Sequence, residues 1–114
     1  MIDFGCREFD LDDIFKCGLG LTKAEFRVMR YLVQRPEELT TSEMAEKTGL
    51  DITTIQKAVK KLSEKDVISR SQKNLDNGGY LFLYRSNPRT KIREVLKGII
   101  RKWSSAVEDR IDEW

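Results

Sequence analysis

Apolar residues recur along this chain at helical spacing, switch once to short runs, and return to helical spacing at the end. A first helix is expected over about Glu8 to Cys17, with Phe9, Leu11, Ile14 and Phe15 facing inward, closed by Gly18 and Gly20. A second runs from about Lys23 to Gln34, buries Phe26, Val28, Met29, Leu32 and Val33, and stops before Pro36. A short third helix covers about Ser42 to Thr48 and ends at Gly49. The fourth runs from about Ile52 to Lys65, with Ile55, Ala58, Val59 and Leu62 at i, i+3, i+4 and i+7. The spacing then changes. Val67 to Lys73 and Tyr80 to Arg85 read as strands joined through an Asn77-Gly78 turn. Pro88 opens a long last helix to Trp114.

The helix starts share one local grammar. Thr22 with Glu25, and Thr40 with Glu43, have the spacing of capping boxes, and Asp51 is placed to cap the fourth helix. Leu21 with Phe26, Leu39 with Met44, and Leu50 with Ile55 can act as the accompanying hydrophobic staples. These starts support a mainly α chain with a small β-hairpin. The third and fourth helices have helix-turn-helix spacing, and the hairpin after them makes the winged variant.

No repeat, low-complexity tract or linker interrupts the 114 residues, so a single domain is expected over 1–114. It divides into an N-terminal helix (1–18) packing on a dimer, a winged helix-turn-helix core (19–87) and a C-terminal dimerisation helix (88–114). Histidine is absent, which removes imidazole acid/base catalysis and His-ligated zinc. There is no glycine-rich phosphate loop and no metal-ligand cluster. The sequence therefore implies no enzyme and no cofactor. It has neither a membrane span nor a signal peptide, so a cytoplasmic protein with no membrane partner is expected. Cys6 and Cys17 read as small buried hydrophobes, with a redox-sensing or intersubunit thiol as the other reading.

Charge changes the picture further. The net of +2 conceals −3 over residues 1–20 and +6 over residues 67–101. From Ile52 to Arg93 the net is +7, a concentration that suits a polyanion. Opposite the apolar stripe of the fourth helix lie Thr53, Gln56, Lys57, Lys60 and Glu64, flanked by Thr54 and Lys61. Gln can read an adenine edge, Thr a thymine methyl, and Lys a guanine or a phosphate. Arg70, Lys73 and Arg85 on the hairpin, then Arg89, Lys91 and Arg93, are expected to touch phosphates. The wing tip carries no arginine.

The run from Leu19-Gly20-Leu21-Thr22 to Asp66-Val67-Ile68 resembles the DNA-binding domain of archaeal TrmB-like regulators and, more distantly, MarR-type repressors. The shared features are the Leu-Gly-Leu-Thr entry, Thr-x-x-Glu-Met-Ala at Thr40 to Ala45, Lys-Lys-Leu-x-Glu-Lys at Lys60 to Lys65, and Tyr84-Arg85-Ser86-Asn87-Pro88. The resemblance implies a transcriptional regulator whose partner is double-stranded DNA. This sequence ends where TrmB regulators continue into a sugar-binding domain, so no sugar effector is carried over, and no residue pattern specifies another. The wing also lacks the Asp-Arg-Arg pattern common in MarR proteins.

The last helix adds an association surface. Ile92, Leu96, Ile99, Trp103, Val107, Ile111 and Trp114 form a stripe with a mean step of about 3.7 residues, longer than the 3.5 of a left-handed coiled coil. So long an apolar ridge points to a two-fold homodimer with two recognition helices about one DNA turn apart. The reading is a dimeric, sequence-specific regulator, with Ile52 to Lys65 in the major groove and 67–85 on the backbone. The alternative is a winged-helix protein–protein interaction module that reads no DNA.

Overall fold

The computed structural model describes all 114 residues. Two short strands open the chain, β1 (Ile2–Asp3) and β2 (Glu8–Phe9), paired antiparallel. Five helices follow: α1 (Leu11–Leu19), α2 (Lys23–Val33), α3 (Thr41–Thr48), α4 (Ile52–Glu64) and α5 (Arg89–Asp112). The antiparallel hairpin of β3 (Ile68–Asn74) and β4 (Tyr80–Ser86) sits between α4 and α5.

The elements arise where local chemistry permits. The capping boxes at Thr22/Glu25 and Thr40/Glu43 are both formed, with each threonine hydroxyl accepting the N3 amide and each glutamate accepting the threonine amide. A further one, Asp10 with Asp13, starts α1. The first helix therefore begins at Leu11 rather than Glu8, because Glu8 and Phe9 are held extended against Ile2 and Asp3. Leu11, expected inside, is exposed. Cys6 lies in the turn between β1 and β2 while Cys17 lies on α1, and both are exposed, so neither is the buried hydrophobe expected. Asp51 precedes α4 but makes no side-chain cap bond. Pro88 stands just before α5 rather than inside it.

One core joins these elements. Val28, Leu32, Met44, Ile55, Ala58, Leu62 and Val67 are sealed from solvent, and Leu19, Ile68, Tyr84 and Ile92 belong to the same cluster. Leu39 and Tyr84 exchange both backbone hydrogen bonds, at 2.9 and 2.8 Å, tying the entry to α3 onto the hairpin. The turn from α3 to α4 depends on Gly49, whose left-handed backbone (φ 72°) reverses the chain. Arg27 of α2 donates to the Thr48 carbonyl at 2.7 Å and fixes that turn from outside. Below α4, Asn87 is buried; its amide donates to the Asp66 carbonyl at 2.8 Å and its oxygen accepts from Ser69.

The helix α5 lives in two environments. Ile92 and Leu96 are buried against the chain's own core, and Gly18 of α1 admits the Leu96 side chain, since a Cβ there would stand 2.9 Å from it. Beyond Ile99 the helix runs free of that core, which stretches the molecule to 63 × 24 × 24 Å. Ile92 and Leu96 were expected in the association stripe. Both are covered by the chain's own core.

Two outcomes check these packing arguments. Asn87→Ala removes a buried amide that holds the Asp66 carbonyl and Ser69, and lowers unfolding stability by about 1–2 kcal/mol in urea denaturation. Gly49→Ala forces a Cβ into the left-handed region and costs about 1 kcal/mol by the same measurement.

Candidate nucleic-acid interface

At about 100° per residue, the burial of Ile55, Ala58, Val59 and Leu62 turns the opposite side of α4 outward. Thr53, Gln56, Lys57, Lys60 and Glu64 fall on that outward strip, and all five are exposed. They lie at i, i+3, i+4, i+7 and i+11, a strip about 16 Å long. None of the strip's lysines forms an ion pair within the chain, so its charge is available to a ligand. Thr54 lies at the flank and is half-buried.

Lys61 has another task. Its ammonium donates to Glu25 Oε1 at 2.8 Å and to the Gly20 carbonyl at 2.9 Å, and the same Glu25 oxygen accepts the Thr22 amide at 2.8 Å. Lys61, expected at the flank of the DNA contact, thus anchors α4 to the start of α2. The reason is angular: Lys61 sits about 80° round the helix from Thr53, over the α2 terminus rather than over solvent. Burial pushes the Glu25 carboxyl up, but the Lys61 hydrogen bond, the Thr22 amide and the lysine charge outweigh it and hold the carboxyl below its ordinary value. Glu43, fully exposed, is also lowered, chiefly by its bond from the Thr40 amide.

The hairpin divides its basic residues between two faces, as its period of two requires. Tyr84 and Ile68 turn inward, and Arg70, on their side, lies 4.1 Å above the Phe82 ring. Lys73 and Arg85 project from the other side, where Arg85 is opposite Ser69 and Lys73 is opposite Leu81. Arg85 thus sits at the base of the wing, while Lys73 sits near its tip. The tip itself is a loop over 75–79 wider than a two-residue turn, closed by the Leu75 amide on the Gly79 carbonyl at 2.7 Å. At the base, Arg85 and Arg89 share a cleft with Arg35 at the end of α2. No sequence signal singled out Arg35, whose proximity exists only after folding.

At the far end, Trp103, Val107, Ile111 and Trp114 are exposed and, with Ala106 and Arg110, line an open trough of about 510 Å³. Ile99 is half-buried where the helix leaves the core. The Phe4 ring meets Trp103 edge-on, with centroids 6.3 Å apart, so the β1–β2 hairpin borders the trough. No cluster of metal-ligating side chains occurs, and no helix is long and apolar enough to cross a membrane.

Lys61→Met leaves the buried Glu25 carboxylate without its cation, and stability at neutral pH falls by about 1–2 kcal/mol. The folded pKa of Glu25 is depressed, so the pair's contribution is full above the ordinary value of 4.5 and fades as pH falls through the lower folded value. The gap between wild type and Lys61→Met, followed by urea melts from neutral to acid pH, therefore narrows below 4.5.

The family model described as the sugar-specific transcriptional regulator TrmB matches residues 15–87. A structure titled a possible transcriptional regulator from Methanosarcina mazei Go1 is 39% identical and superposes with a TM-score of 0.92, covering 100% of this chain and 96% of that one. The MarR protein of Staphylococcus aureus, solved with salicylate and kanamycin, shares the fold at 19% identity and a TM-score of 0.52, over 88% of this chain and 65% of that one. An uncharacterised protein of Methanocaldococcus jannaschii is 28% identical over 102 residues, 90% of this chain and 83% of its own length. The helix-turn-helix, its hairpin wing and these likenesses agree: the chain has a winged helix-turn-helix fold and belongs to the TrmB family of transcriptional regulators.

Proposed function

We propose that this chain is a sequence-specific DNA-binding regulator that works as a homodimer, a single domain whose N-terminal segment packs on the dimer. The observation that carries this reading is the outward strip of α4, with Thr53, Gln56, Lys57 and Lys60 presented on a rigid helix and no internal partner for either lysine. In the major groove, Gln56 and Thr53 reach base edges, while Lys57 and Lys60 reach guanine or phosphate. Thr54 lies at the rim of that contact. Lys73, near the tip of the wing, and Arg70, nearer its base, extend it along the backbone.

The second subunit is a second copy of α5. Trp103, Val107, Ile111 and Trp114 extend the apolar stripe beyond the core, with Phe4 continuing the same surface. Four large apolar side chains in water on one helix are a standing cost that a two-fold partner removes. Two copies of α4 held about 34 Å apart would read a pseudo-palindromic site.

Both halves of this reading are measurable. In anisotropy titrations with genomic fragments, affinity falls steeply with added salt as counterions are released, and no binding at about 50 mM salt refutes the regulator. Lys57→Ala with Lys60→Ala weakens binding about tenfold or more, and full affinity in that double variant removes α4 from the groove. Trp103→Ala with Ile111→Ala converts a dimer to a monomer in sedimentation velocity. A wild-type chain that is monomeric at micromolar concentration refutes the dimer.

A further inference from the structure

The cleft at the wing base is lined by Arg35 from the end of α2, Arg85 from β4, and Ser86, Asn87, Pro88 and Arg89 leading into α5. Its volume is about 350 Å³, and no carboxylate lines it. None of the three arginines forms an ion pair anywhere in the chain. Three guanidinium groups without a carboxylate partner surround one concavity, where like charges repel one another. An oxyanion between them converts the repulsion into charge-assisted, bidentate hydrogen bonds.

The cleft is also braced from within the chain. Arg35 lies 3.5 Å above the Tyr31 ring and donates to the Tyr31 carbonyl at 2.9 Å, which fixes its position and leaves its other N–H groups free. Ser86 and Asn87 spend their side chains on the scaffold: Ser86 donates to the Asn87 carbonyl at 2.8 Å, and Asn87 holds Asp66 and Ser69. The floor is therefore braced before any ligand arrives. The start of α5, with no side-chain cap and no acidic residue in its first turn, and the C-terminus of α2 meet at the cleft with opposite dipole ends, so the positive potential there comes from the arginines.

We propose that this cleft binds a small, multiply charged oxyanion, a metabolite bearing phosphate or paired carboxylates, which bridges the end of α2, the wing base and the start of α5. Duplex DNA is the less fitting occupant. No residue of α4 lines the cleft. Arg85 lies at the opposite end of the hairpin from its tip, about 17 Å along β4 from Tyr80. An anion held there stiffens the joint between the wing and the helix that carries the apolar trough, which gives it a route to regulate the assembly.

Isothermal titration calorimetry of the full chain without DNA tests this, with inorganic pyrophosphate and citrate as separate probes at constant ionic strength. The expected result is one saturable site per chain for at least one probe, weakened about tenfold in Arg35→Gln and in Arg89→Gln. Binding of pyrophosphate alone identifies a phosphate-bearing ligand, and binding of both identifies any compact polyanion. Arg89 is exposed at a helix start, so its variant keeps the fold even if Arg35→Gln does not. Absence of saturable binding by both probes overturns the proposal. So does binding that survives both arginine variants but disappears in Lys57→Ala with Lys60→Ala, which would place the anion on the α4 strip. Because DNA is absent, a chain that never reads DNA still gives a positive result here.

Discussion

The outward polar strip of α4 depends on the burial of the other side of the same helix. Ile55, Val59 and Leu62 each exchange water for core at a gain on the order of 2 kcal/mol, and Ala58 lets the neighbouring helices come close. That stripe leaves the helix no rotational freedom. The polar strip is outward because the apolar one cannot be, and a rotation of even half a turn would bury Lys57 and Lys60 and expose the core.

Electrostatics then sorts cations of one kind into different tasks. Lys57, Lys60 and Lys61 are close in sequence, yet only Lys61 meets a carboxylate, buried beside the α2 terminus. Its bonds to Glu25 and to the Gly20 carbonyl bind α4 to the turn that connects α1 and α2. Since α1 packs on α5 through the Gly18–Leu96 approach, the helix that carries the polar strip and the helix that extends from the core are mechanically continuous. The arginines are sorted likewise. Arg70 lies on the Phe82 ring, whereas Arg85 and Arg89 gather with Arg35 at the wing base.

The helix α5 shows how one amphipathic pattern can serve two ends. Its stripe is continuous from Ile92 to Trp114, and nothing in the spacing marks where service to the core ends. The division falls near Ile99, because the core is only deep enough to cover about three turns. What lies beyond is the ridge that the trough and Phe4 border.

Local chemistry was legible without coordinates. Threonine–glutamate pairs three apart, glycines after helices and the shift from helical to strand spacing are interactions among near neighbours, so they announced the middle three helices, the hairpin and the α4 strip from the residues alone. The N-terminal hairpin was not legible, since two-residue strands carry no periodicity and their pairing overrides a weak helical pattern at Glu8 and Phe9. Relations between distant residues were hidden too: the Lys61–Glu25 ion pair, the cleft shared by Arg35, Arg85 and Arg89, and the burial of Ile92 and Leu96. Periodicity tells which side of an element is apolar. Only packing decides what that side, and each charge beside it, meets.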